Sequence, residues 1–334
     1  MHTNSFFHQK SVLVTGGAGF IGTNLITQLK ARGAHVTATL FKNQPQISYS
    51  DVNYIKCDLT NFNDCMDVTR NVDFVFMAGA NSSGAEVIQK TPLVHLTPNL
   101  IMNSQMLAAS YANHVKKFCF ISSNTVYPDV SYAVKEDDVS YEFFSKYYIV
   151  GWMKQFSEIM CDMYSNKISS PMDTLIVRPG NLYGPFDKFT EKNSKVIAAL
   201  IRRAIERQNP ILVWGDGEDL KDFLYIEDFI DAMLAAFKHS SNYGVFNIAS
   251  GKPATINSVL EIILKLTNHA DTIVNYDKDK PTMIPKRLIN IDRIQKATGW
   301  SPATDLEAGL SKTIKWYNDY FQNLTPEEKL ENMF

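Results

Sequence analysis

The sequence predicts an α/β fold, a doubly wound parallel sheet with a smaller C-terminal α/β lobe, on three observations. Apolar strand-like runs alternate with helix-like runs through the first half, about 20 to 40 residues apart. The first of these runs turns into a helix through glycines at 16, 19 and 22. From about Arg178 the pattern becomes irregular, with Pro179, Gly184, Pro185, Pro210, Gly215 and Gly217 between helices. The expected organisation is an N-terminal extension over 1–10, a Rossmann-like dinucleotide-binding domain over 11–177, a lobe over 178–322 and a charged tail over 323–334. Return crossings from the lobe to the first domain are left open, and no internal repeat or low-complexity linker is found.

The first element is the stretch Val12-Leu-Val-Thr-Gly16-Gly-Ala-Gly19-Phe-Ile-Gly22, followed by a helix over Thr23 to Lys30. A buried strand that turns sharply into a helix leaves first-turn N–H groups aimed at one point, where a pyrophosphate fits. Gly16 is expected to make the tight turn, Gly19 to let phosphates approach, and Gly22 to allow close helix–strand contact. The amides of Phe20 and Ile21 belong to the same site. His35 to Leu40 reads as the second strand, Tyr54-Ile55 as a short third and Asp73 to Ala78 as a fourth. A long helix spans Leu93 to His114, a fifth strand Lys117 to Ser122, and a further helix Tyr147 to Tyr164. Leu306 to Tyr317 carries apolar residues at helical spacing. In such a sheet, ligands sit at the carboxyl ends of the strands, where the strand order reverses.

Bulk properties exclude several classes. A chain of 334 residues with 45% apolar content can bury a large core. The net charge is −2 and no long basic run occurs, so nucleic acid is not an expected partner. Residues 1–10 lack the apolar core of a signal peptide, and no apolar run reaches the roughly 18 residues a membrane span needs. Cys57, Cys65, Cys119 and Cys161 form neither a CxxC pair nor a secretory framework, so free thiols in a reducing cytoplasm are expected. The seven histidines show no metal-ligand spacing, and no metal is expected.

The end of the second strand chooses the cofactor. An acid there bonds the adenosine ribose of NAD, but the strand runs into Phe41-Lys42-Asn43. Lys42 reads either as a partner for the 2′-phosphate of NADP or as a solvated surface charge, so NAD or NADP stays open with a lean to NADP. Asp58-Leu59, after the third strand, is placed to touch the adenine.

The fifth strand runs into Ser122-Ser-Asn-Thr-Val-Tyr-Pro128, and a later helix holds Tyr147-Tyr-Ile-Val150-Gly-Trp-Met-Lys154. With the glycine loop, Asp58-Leu59, Met77-Ala-Gly-Ala80, Arg178-Pro-Gly-Asn-Leu-Tyr-Gly-Pro185 and Phe246-Asn-Ile, the chain resembles the extended short-chain dehydrogenase/reductases of the NAD-dependent epimerase/dehydratase family. The likeness covers nearly all of residues 10–320. Asn181 to Pro185, Asn193 to Ile197 and Pro285 to Leu288 are most similar to the GDP-fucose synthases of that family. The resemblance implies hydride transfer at C4 of a nucleotide-diphosphate sugar, with a tyrosinate as base. A lysine four residues on, here Lys154, lowers the tyrosine's pKa and holds the nicotinamide ribose; hydroxyls matching Ser123 and Thr125 position the sugar. It implies cofactor contacts from Ala78, Gly79, Ala80, Asn99, Lys154 and Pro179. It implies substrate contacts from Ser82, Ser83, Asn181, Asn193, Val196, Trp214, Lys221 and Arg287. A cytoplasmic homodimer, paired through the two long helices, is expected on the same analogy.

The sequence departs from the family where the tyrosine belongs: Val150 stands there, and valine neither donates nor ionises. The one Tyr-x-x-x-Lys string, Tyr276 to Lys280, lies in an Asp/Lys-rich loop of the wrong context. Tyr147 shares a helical face with Lys154 but sits about 10 Å further along the axis; Thr125 through water, or Lys154 itself, are the other candidate bases. The cysteine and histidine of double epimerisation are replaced by Thr125 and by Phe186, Thr190 or Lys195, and the dehydratases' Asp-Glu pair is missing. Lys221 stands where the family uses Arg, giving a point charge instead of a bidentate fork. Three readings stand: an NAD(P)-dependent oxidoreductase acting at C4 of a nucleotide-diphosphate sugar, GDP-linked by resemblance, in surface-polysaccharide sugar synthesis; a C4-epimerase with tightly bound NAD; and a non-catalytic binder of nucleotide sugar or NAD(P).

Overall fold

The computed structural model describes residues 6–81, 91, 93–190, 194–280 and 282–323. Its centre is a seven-stranded sheet of β1 (Ser11–Val14), β2 (His35–Leu40), β3 (Asn53–Lys56), β4 (Phe74–Met77), β5 (Lys117–Ile121), β6 (Asp173–Pro179) and β7 (Tyr243–Ile248). The order across the sheet is β7-β6-β5-β4-β1-β2-β3, with every pairing parallel. Strand order reverses between β1 and β4, which opens a crevice at their carboxyl ends. Alternate residues serve opposite faces. Val12, Val14, Phe76, Cys119 and Val177 enter one apolar core, and Leu13, Val75, Met77, Phe118, Phe120 and Ile176 the other. Burial on both faces explains why these strands read as continuous apolar runs.

The described residues also form helices α1 (Phe20–Ala31), α2 (Phe62–Val68), α3 (Leu93–Ala112), α4 (Tyr148–Asn166), α5 (Val196–Ile205), α6 (Ile226–His239), α7 (Ile256–Leu266), α8 (Asp292–Thr298) and α9 (Leu306–Asn323). Helices α1 and α6 supply Leu25, Ile26, Phe229 and Phe237 to the first core, and α3 and α4 supply Met106 and Cys161 to the second. Among the boundaries that differ from the sequence reading, three have a clear backbone cause. Helix α1 begins three residues early, at Phe20, with Gly19 as its cap. Helix α3 stops at Ala112, because His114 takes a positive φ of 56° that a helix cannot continue. Helix α4 begins at Tyr148, because Ser145–Tyr147 is a separate 3-10 turn.

Strand β6 runs through residue 178, where the sequence pattern changes, and the chain returns to the sheet as β7. Short pairs flank this return: Asn181–Tyr183 beside Phe223–Tyr225, Leu220–Lys221 beside Ala254–Thr255, and Ile211–Trp214 beside Val274–Asp277. Leu288–Ile289 pairs with Ala133–Val134 and so carries the neighbouring Arg287 to the turn after β5. Among the described residues no helix is long and apolar enough to cross a membrane, and no His, Cys, Asp or Glu cluster could hold a metal ion. All four cysteines are buried and free.

Candidate active site

Gly16 takes φ +67°, and a Cβ there would lie 2.7 Å from the Cα of Gly79. Only glycine permits both the turn and this approach of β1 to the end of β4. The contact is fastened by Thr15 Oγ1, which accepts from the Gly79 amide at 2.8 Å, and by Thr39 Oγ1, which accepts from the Gly16 amide at 3.1 Å. A Cβ at Gly22 would lie 2.2 Å from the Gly16 carbonyl oxygen, so helix and turn meet there without room for a side chain. At Gly19 the same test meets only that oxygen, at 3.2 Å. The Thr23 amide bonds the Gly19 carbonyl at 2.9 Å, which leaves the amides of Phe20, Ile21 and Gly22 as first-turn donors without a helical acceptor. This cradle fits a dinucleotide pyrophosphate.

Around it, Leu59 is buried against Gly79, and Asp58 turns to its own loop, accepting from Thr60 N at 2.9 Å and Thr60 Oγ1 at 2.7 Å. Those bonds hold the Asp58 carboxyl below its ordinary pKa. Lys42 is exposed beyond β2, with its ammonium 5.4 Å from the Phe41 ring centroid. Asn99 is buried and fully used: its carboxamide accepts from the Asn81 amide at 2.8 Å and donates to the carbonyls of Asn81 and His95. It therefore acts on the Ala78–Gly79–Ala80 loop by fixing its far end. Ser82, Ser83 and Asn193 lie outside the described residues.

A second group of residues gathers at the end of β5. Ser123 caps the short turn Asn124–Val126, its hydroxyl accepting from the Thr125 amide at 3.2 Å. Thr125 is buried and its hydroxyl has no partner. Asn124 ties the same turn to the Pro179 carbonyl at 2.9 Å, which places Pro179 at the crevice. Helix α4 presses on this turn: a Cβ at Gly151 would lie 2.8 Å from the Thr125 carbonyl oxygen. Val150, half-buried, stands beside that contact, and one turn further on Lys154 donates to the Ile121 carbonyl at 2.8 Å. Burial pushes the Lys154 amine down to about 8, against the pull of Glu158. Glu158 itself is spent behind the site, where it receives Arg178 Nη2 at 2.6 Å, Arg178 Nε at 2.9 Å and the Ser122 hydroxyl. Arg178 also donates to Tyr127 Oη at 2.9 Å and to the Glu136 carbonyl at 2.7 Å. The hydroxyl at 125 and the amine at 154 are thus carried on a rigid, buried polar frame.

Tyr147 makes no hydrogen bond to Thr125 or Lys154. The 3-10 turn places it before α4, and the charges it feels are those of Arg287 and Asp219, while Lys154 feels Glu158. Burial pushes its phenol up to about 12. Because Tyr147 precedes α4, helical spacing does not set its distance from Lys154, and a phenol in this setting stays protonated at neutral pH. Arg287 is only 1% exposed and donates to the carbonyls of Pro128 at 2.9 Å and Tyr127 at 3.2 Å. It fixes the turn after β5 instead of standing on an open wall. Lys221 pairs with Asp219 at 3.0 Å and donates to the Ile284 carbonyl. Asn181 is anchored through Asp222, whose carbonyl accepts from its backbone amide at 2.7 Å. Trp214 is half-buried in the lobe, and Val196, at the first turn of α5, is 38% exposed. Sequence reasoning missed Thr15, Thr39 and Gly151 as the residues that set these distances. Their signal was adjacency alone, since each lies beside a motif residue or at a strand end.

The model of the NAD dependent epimerase/dehydratase family matches residues 12–249. The GDP-L-colitose synthase of Yersinia pseudotuberculosis is 28% identical, the match covering 92% of this chain and 97% of that one. The GDP-L-fucose synthase of Sinorhizobium fredii is 28% identical, with 94% and 96% covered. Among solved structures, the UDP-glucuronic acid 4-epimerase of Bacillus cereus, in complex with UDP-glucuronic acid and NAD, superposes with a TM-score of 0.82 at 25% identity, covering 93% of this chain and all of that one. The chain belongs to the NAD dependent epimerase/dehydratase family.

Proposed function

We propose that this member of the epimerase/dehydratase family is an NAD(P)-dependent oxidoreductase acting at C4 of a nucleotide-diphosphate sugar, with a GDP-sugar as the preferred substrate. The observation that carries the reading is the buried, unpartnered hydroxyl of Thr125 at the end of β5, against the helix that bears the Lys154 amine. A buried hydroxyl without a hydrogen-bond partner costs free energy unless a ligand completes it. A sugar hydroxyl is such a ligand. GDP is preferred because two relatives over nearly the whole chain are GDP-sugar enzymes by name.

Gly16, Gly19, Phe20, Ile21 and Gly22 would hold a dinucleotide by its pyrophosphate, with Ala78, Gly79, Ala80 and Pro179 along the crevice. When bound, the cofactor supplies a nicotinamide ring that exchanges hydride with a carbinol or carbonyl carbon. The chain's own part is the proton. In the oxidising direction the sugar hydroxyl proton passes to the neutral Lys154 amine, directly or through the Thr125 hydroxyl. The amine spends one N–H on the Ile121 carbonyl, and its lone pair remains available. In the reducing direction the ammonium returns that proton to the new alkoxide. Ser123 holds the turn in which Thr125 sits. Val150 leaves this corner without the phenol the family uses, so Lys154 carries the acid–base role alone. Exposed apolar side chains on α3 and α4, namely Ile101, Phe156 and Met163, support pairing of two copies through these helices.

The test mixes the protein with NAD or NADP and a panel of GDP-, UDP- and dTDP-sugars, following the reduced-nicotinamide band and analysing product in the same tubes. A rise with one sugar is the expected result. Sugar product without a rise indicates C4 epimerisation with retained cofactor, the reading favoured by the likeness to a 4-epimerase. Ligand binding with neither outcome sinks both catalytic readings.

A further inference from the structure

We propose that Lys195 of the lobe is a ligand for the cofactor's pyrophosphate, an inference that rests on the dinucleotide-binding reading above. Residues 15–24, which form the cradle, contain no Lys or Arg, and the first turn of α1 contributes only amides and about half a positive charge. A pyrophosphate brings two negative charges. A cation of the lobe stands beside this cradle: Lys195 Nζ lies 4.8 Å from the centroid of the Phe20 ring, and Phe20 opens α1.

The segment that delivers it is docked on the same loop. Asn24 donates to the Pro185 carbonyl at 3.1 Å, and Gln46 spans the Phe186 carbonyl at 3.0 Å and the Ala18 carbonyl at 3.4 Å. Asp187 follows, with its carboxylate nearly buried, and stands 3.6 Å from Lys195 Nζ. That separation is longer than a hydrogen bond, so the ion pair steers the ammonium without using up its donors. Lys195 precedes α5, makes no capping bond with its side chain and is 55% exposed there, so its long stem is free to swing toward an anion on α1. The geometry lets one residue of the lobe report occupancy of the first domain.

The test is calorimetric titration with ADP-ribose, which carries the pyrophosphate but neither nicotinamide nor 2′-phosphate. Lys195→Gln should bind it roughly tenfold more weakly than the unmodified chain, with a shallower loss of affinity on raising salt, as for removal of one charge-assisted contact. Lys195→Arg should stay within about threefold, and Lys296→Gln, an exposed cation of α8, should match the unmodified chain. Equal affinity of Lys195→Gln and the unmodified chain would overturn the assignment while leaving dinucleotide binding intact. An unmodified chain that binds no ADP-ribose overturns the dinucleotide reading itself.

Discussion

At the scale of single residues the proposed chemistry turns on one amine. The pKa of Lys154 is lowered to about 8 by burial, so the amine changes charge near physiological pH. Oxidation needs the neutral form, so its rate should rise with pH and level off above about 8; reduction needs the ammonium and should fall over the same range. Lys154→Met should lower the rate by about 10²–10⁴-fold, the usual worth of general acid–base catalysis. Thr125→Val separates function from stability. It removes an unpaired buried hydroxyl, so thermal unfolding should stay level or improve by up to about 1 kcal/mol, while turnover drops at least tenfold. A marked loss of stability would mean that the hydroxyl has a partner inside the protein. Ser123, Thr125, Val150 and Lys154 were legible in the sequence because motif order fixed their places. Arg287 and Tyr147 were not, for different reasons. A basic residue in a loop looks the same whether it faces a ligand or, as here, two backbone carbonyls. The phenol's direction depends on a 3-10 turn that helical spacing ignores.

At the scale of elements, the glycine loop and the frame behind α4 make different demands. A Cβ at Gly22 would collide with the Gly16 carbonyl at 2.2 Å, whereas one at Gly19 would meet the same atom at 3.2 Å. Gly22→Ala should therefore lower both the unfolding temperature and cofactor affinity. Gly19→Ala should leave unfolding nearly unchanged and weaken cofactor binding alone, read by thermal melts beside titrations. Equal effects of the two changes would contradict the assigned division of labour. Behind α4, Glu158 and Arg178 form a buried ion pair at 2.6 Å with side chains only 6% and 5% exposed. Removing one partner leaves an uncompensated buried charge, so Arg178→Met should destabilise by about 3–5 kcal/mol in a denaturant titration. The strand–helix alternation was readable because each strand is buried on both faces. The helix boundaries were less so, since a cap such as Gly19 or a positive φ such as that of His114 is a backbone property with a weak residue signature.

At the scale of the whole molecule, the second half of the chain was the least legible. Beyond residue 179 most strands are two to four residues long and set among helices and loops, and their alternation is too brief to reveal that β7 returns to the main sheet beside β6. That return matters for chemistry: it closes the frame through Asn247, which accepts from Tyr127 at 2.6 Å, and so joins the lobe to the base of the site. The exposed faces of α3 and α4 bear on assembly. If two copies meet there, light scattering should give twice the chain mass, and Phe156→Glu should return it to one chain with activity reduced. A single-chain mass for the unmodified protein would rule that pairing out.

The central claim is that a site without the family's tyrosine transfers hydride with Lys154 as its acid–base group. The most direct measurement is the single-turnover rate of the reduced-nicotinamide band against pH, with the sugar identified from the panel. The oxidation rate should climb through pH 8 to a plateau above it in the unmodified protein and collapse in Lys154→Met. Hydride transfer that persists in Lys154→Met, with an unshifted pH profile, would contradict the claim.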